Sequence, residues 1–182
     1  MRGVRGTIAI GTLRVALATG SWSADACGDI DRTLGNEQTV PSYADAVVAL
    51  DAIEIGDRYE LGVPHLRSDV VLAEVLYADP RVGATAPLRA GATITVDEFD
   101  CAPPAALPAA APSDRVIALL SAVEAGSDVR APWWVVYALV EEPGGSLRFL
   151  GSDGAALDRR FEDRLGGGVA GFVEWLIDAR GR

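Results

Sequence analysis

Apolar positions recur with a period of two over much of the first hundred residues and with helical spacing near the end of the chain. Between Thr7 and Ala18 the apolar residues Ile8, Ile10, Leu13, Val15 and Leu17 slip once around Gly11 and Thr12. This predicts a strand or hairpin arm with a bulge, and the polar stretch Ser21 to Gln38 predicts a long loop. Pro41 to Leu61 admits two readings in its first half. Ser42 can cap a helix bearing Ala46, Val47, Ala49 and Leu50, or the same residues can begin a strand. In the second half Ala52-Ile53-Glu54-Ile55 alternates as a strand, and Gly56-Asp57 predicts a turn into Arg58-Tyr59-Glu60-Leu61. The valine-rich run Val70 to Leu76 predicts another strand, ended by Asp79-Pro80. A further strand is expected at Ala92 to Val96. Residues 1–100 therefore read as a β-rich region.

Residues 101–114 are rich in proline and alanine, with Pro103, Pro104, Pro108 and Pro112 breaking regular structure. Such a stretch is an extended connector between two parts, or an arm pinned across one body. Residues 115–182 predict helix, hairpin, helix, helix. Ser113 caps a first helix with the stripe Val116, Ile117, Leu119, Leu120 and Val123, closed by Gly126. Trp133 to Glu142, Pro143-Gly144-Gly145 and Ser146 to Leu150 form an antiparallel hairpin. Asp153 opens a helix bearing Leu157, Phe161 and Leu165, halted by Gly166-Gly167-Gly168. Val169, Phe172, Val173, Leu176 and Ile177 make the last stripe. The expected fold class is α+β. Two strands alone are marginal in water, so the hairpin must be covered by helices or join a larger sheet, which favours one integrated body.

Composition narrows the chemistry. The chain has 182 residues, 49% of them hydrophobic, room for one compact domain or two small ones. All 16 Lys+Arg residues are arginines, so chemistry needing a lysine Schiff base or a phosphate-loop lysine is excluded. A net charge of -10 argues against an extended nucleic-acid footprint, and the densest arginines, Arg159, Arg160 and Arg164, are interleaved with Asp158, Glu162 and Asp163. Arg2 and Arg5 precede an apolar stretch, and Ala24-Asp25-Ala26 resembles a cleavage site, but Arg14 and Asp25 interrupt the pattern. A cytoplasmic location is expected, with secretion as the alternative. No apolar run reaches the length of about 18 residues that a membrane span requires. Cys27 and Cys101 can form one disulfide or remain thiols.

His65 is the only histidine. Lying between Pro64 and Leu66, it is expected in a turn, where Asp69 or Glu74 can orient it as a general base. Asp25, Asp29 and Asp31 form the best acidic cluster for a divalent cation, although they lack the spacing of a calcium loop. Asp97 and Glu98 would point to opposite sides of a strand and so make a poor acid–base pair. One histidine and two distant cysteines build no zinc set, and no nucleotide motif is present, so no cofactor is expected. Consecutive Trp133 and Trp134 must face opposite sides of a strand, and Trp175 flanks the last helical stripe. These three indoles are the interface candidates. The expectation is a noncatalytic protein-interaction or assembly component that binds a protein partner or a second copy, without membrane contact. The alternative is a small carboxylate-dependent hydrolase or ligand-binding enzyme using a divalent cation, which requires His65 or the Asp25 cluster to line a pocket.

Overall fold

In the computed structural model, which describes residues 40–82, 87–100, 105–124, 126–151 and 154–181, the chain is α+β. A short helix α1 (Val40–Tyr43) leads into a long hairpin of β1 (Ala46–Leu61) and β2 (Val63–Ala78), followed by β3 (Thr93–Phe99). A 3-10 turn at Leu107–Ala109 precedes β4 (Arg115–Ala122), β5 (Trp133–Glu141) and β6 (Leu147–Phe149). Helices α2 (Gly154–Arg160), α3 (Glu162–Leu165) and α4 (Gly168–Arg180) complete the order. The 6-stranded sheet runs β3-β2-β1-β4-β5-β6, and β3 also pairs with β5. That extra pairing is parallel, joins Val96 to Trp133 and Asp97 to Trp134, and closes the first five strands into a partly open barrel of the OB type.

Two apolar cores lie on the two sides of the same strands. Val48, Leu50, Val70, Leu72, Ile94, Val96, Val116, Leu120 and Trp133 fill the barrel, and Leu107 enters it from the 3-10 turn. Val47, Ala49, Ile117, Leu119, Leu139 and Phe149 face outward and are covered by Leu157, Phe161, Leu165, Phe172 and Leu176 of the helices. The expected helix at 113–126 is therefore a strand. Its apolar residues occupy consecutive positions because β4 is buried on both faces, Val116, Ala118 and Leu120 inward and Ile117 and Leu119 outward. The same reason settles the first half of 41–61 as strand, since Ala46 to Leu50 are all buried.

Gly56-Asp57 is not a turn. The strand continues through it with a register shift between Ile55 and Arg58, and a Cβ on Gly56 would lie 2.5 Å from the Arg67 carbonyl oxygen. Glycine is needed there for close approach of the two backbones at a bulge. The hairpin turns instead at Gly62, whose φ is 74°. His65, expected in a turn, lies in β2 opposite Tyr59 and Phe99.

The remaining C-terminal expectations hold in outline. Trp133–Glu141 and Leu147–Phe149 pair antiparallel. Leu157, Phe161 and Leu165 are buried together, although the helix breaks at Phe161, whose φ of -109° and ψ of 14° are not helical. Phe172 and Leu176 are fully buried in the last helix. That helix is fastened at its end by Arg180, which donates to Asp79 at 2.8 Å, to Asp45 at 3.0 Å and to the Ala44 carbonyl at 2.6 Å. Hydrogen bonds from Arg81, with Arg180 nearby, hold the Asp79 carboxyl well below the usual carboxylate range. The predicted arm at Thr7 to Ala18, the loop at Ser21 to Gln38, the cap Asp153 and both cysteines lie outside the described residues. Strands from both sides of the Pro/Ala stretch share one sheet.

Candidate binding site

The outward face of β3 starts from simple alternation. Ile94 and Val96 point into the barrel, so Asp97 and Phe99 point out. Trp133 and Trp134 divide in the same way, Trp133 into the barrel core and Trp134 to the outside, next to Asp97 in the parallel register. Tyr59, His65 and Phe99 lie on one cross-strand row. Four aromatic or heteroaromatic rings and one carboxylate thus meet on the outer face.

Asp97, with 0% of its surface exposed, is the centre of this cluster. One oxygen pairs with His65 Nδ1 at 2.6 Å, and the other accepts the Tyr59 hydroxyl proton. The Tyr59 oxygen in turn accepts the Arg130 backbone N–H at 3.1 Å, and the Arg130 guanidinium sits 4.5 Å from the Tyr59 ring centroid. Burial first, and then the bond to Asp97, push the Tyr59 phenol above its ordinary value. His65 is stacked on Tyr59 with centroids 5.0 Å apart and meets the edge of Trp134 at 5.3 Å. Phe99 closes against Trp134 at 4.1 Å. Only 2% of His65 is exposed, so the pair is sealed under rings and the loop that carries Arg130.

On the opposite side of β3, Glu98 points toward the barrel end. Its carboxyl accepts the backbone N–H of Ala106 at 2.6 Å and of Leu107 at 3.2 Å. It thereby fixes the 3-10 turn whose Leu107 enters the core. Burial pushes Glu98 up to about 8 despite those two donors, with Asp100 and Asp97 raising it further.

Beside the ring cluster the surface is concave. A groove of about 340 Å³ has Phe99, Trp134 and Val136 in its lining, Val123 and Val129 from the β4–β5 loop, and Tyr43 from α1. Ser121, Ala122, Glu124 and Ser127 complete the lining. Val136 stands two residues after Trp134 on the same outward face, and a bulge falls there. The register passes from Leu119 opposite Tyr137 to Leu120 opposite Val135, which leaves Val136 as the extra residue on β5.

The residues singled out in the sequence are dispersed by the fold. Neither Asp69 nor Glu74 orients His65: Asp69 accepts the Thr95 hydroxyl at 2.7 Å, and Glu74 faces Arg115 at 3.4 Å. Trp133 is spent on the barrel core, and Trp175 packs with Phe172 and Phe161 at the edge of the helical core. Trp134 alone of the three indoles lines the groove. Asp25, Asp29 and Asp31 lie outside the described residues, among which no group of three or more His, Cys, Asp or Glu is placed to hold a metal ion. Among the described residues no helix is long and apolar enough to cross a membrane. Tyr59, Asp97, Phe99 and Arg130 were not legible as a site. Asp97 shares its alternation with Thr93 and Thr95, which marks it as outward, but nothing local tells that rings will bury it. No protein-family model and no curated protein sequence matches the chain.

Proposed function

We propose that this chain is a noncatalytic protein-interaction module that docks a partner's apolar side chains in the groove beside Trp134. The observation that carries the reading is the pairing of an open, mainly apolar groove of about 340 Å³ with a rigid floor. Its volume suits one or two large side chains, and aromatic residues held in place before binding are the usual anchors of interfaces. Trp134 is braced by Phe99 and His65, and His65 is braced by Asp97, so binding costs the floor little ordering.

The same geometry weighs against the hydrolase alternative. A histidine–carboxylate pair is present, but a general base must reach a substrate proton, and His65 and Asp97 are 2% and 0% exposed. Their position suits them to hold the Trp134 floor. Barrels of this type often bind oligonucleotides on the face of their second and third strands, yet fold alone does not give function, and a net charge of -10 opposes phosphate backbones.

Selection of random displayed peptides against the protein and against its Trp134→Ala variant tests the proposal. Peptides with large apolar side chains are expected to be enriched on the parent protein and lost on the variant. Enrichment that is indifferent to Trp134 contradicts the groove as the docking surface.

A further inference from the structure

We infer that the segment docking in the Trp134 groove is cationic, an apolar anchor flanked by arginine or lysine and supplied by a basic protein. The inference rests on the groove being the docking surface and adds the chemistry of its partner. One groove wall is the β4–β5 loop, where Glu124 lines the hollow and Asp128 lies between two lining residues, Ser127 and Val129. Both acids are exposed, and among the described residues neither side chain takes part in an ion pair or hydrogen bond.

The neighbouring acids are already occupied. Asp97 is held by His65 and Tyr59, Asp45 by Arg180 and the Ala122 N–H, and Asp100 by Arg58 at 2.6 Å. The nearest cation on the loop, Arg130, lies over Tyr59. The lip therefore presents two exposed carboxylates that, among the described residues, no ion pair engages. Tyr43, also in the lining, is 42% exposed, and an exposed aromatic ring attracts a guanidinium or ammonium. A second copy of the chain is a poor occupant, because each copy brings a net charge of -10 to the encounter.

Two short synthetic peptides with the same central Leu-Phe pair, one flanked by arginines and one by glutamines, test this by titration of the full chain. The arginine-flanked peptide is expected to bind about tenfold tighter at low salt, with the advantage shrinking as salt screens the lip. Glu124→Gln combined with Asp128→Asn should erase the advantage while the glutamine-flanked peptide still binds and the unfolding midpoint is unchanged. Equal binding of the two peptides overturns the cationic partner and leaves the groove as a docking surface. Binding of neither peptide, or binding indifferent to Trp134→Ala, overturns the groove and the inference together. Self-association that Trp134→Ala abolishes, seen by sedimentation without peptide, overturns the inference in favour of a second copy.

Discussion

β4 and β3 belong to one barrel, yet their outer faces are finished by different physics. Ile117 and Leu119 of β4 lie under a helical layer in which Phe161, Phe172 and Leu176 are fully buried. Among the described residues no helix covers Asp97 and Phe99 of β3, which lie under Tyr59, His65 and Trp134, side chains from three other strands. The first cover depends on non-directional burial and tolerates small changes of shape. The second depends on one carboxylate serving two partners, and loses both when that carboxylate is removed. The difference leaves the β3–β5 side with an open aromatic groove, whereas Ile117 and Leu119 of β4 lie in a closed core.

The comparison is broken most strongly on the helical side. Phe172→Ala should cost about 3–5 kcal/mol in denaturant unfolding, because a fully buried ring leaves a cavity. Asp97→Ala should cost about 2–4 kcal/mol, since it strands a buried imidazole and a partly buried phenol. It should also change the near-ultraviolet dichroism of the Trp134 environment, which Phe172→Ala need not do at equal loss of stability.

A pH series isolates the inner side of β3. The Glu98 carboxyl is raised from 4.5 unfolded to about 8 folded, so across that interval the native state holds a proton that the unfolded state has lost. Its contribution is greatest below the unfolded value, falls by at most about 1.4 kcal/mol per pH unit as pH rises toward 8, and is constant above. Unfolding midpoints measured from pH 5 to 9 should show that decline, and Glu98→Gln should flatten it. An unchanged slope in the variant would assign the decline to other groups. The smallest effect on stability, about 1 kcal/mol, is expected for Trp134→Ala, whose ring is only partly buried. That variant should nevertheless lose most of its peptide binding.

What was legible in the sequence follows the same division. Alternation placed β3, valine enrichment placed the second half of β2, the Pro143-Gly144-Gly145 turn placed the β5–β6 hairpin, and stripes placed the last helices. Burial on both faces erased the alternation of β4, and a continuous apolar run carries neither a strand nor a helix period. The two tryptophans were correctly assigned to opposite faces, because that follows from the pleat alone. The partner of His65 was not legible. Asp69 and Glu74 are near it in sequence, whereas Asp97 comes alongside through the β2–β3 register, in which His65 stands opposite Phe99 and Arg67 opposite Asp97. The groove needs still more, namely one face of β5, a loop and a helix end, each from a different part of the chain.

The central claim is that neighbouring indoles have separate work, Trp133 in the core and Trp134 at the docking surface. Heteronuclear NMR of the indole N–H resonances during titration with the arginine-flanked peptide tests it most directly. The Trp134 resonance should shift in a saturable manner while that of Trp133 stays in place. A Trp134 resonance that does not move, or one that moves only in step with Trp133, would contradict the account.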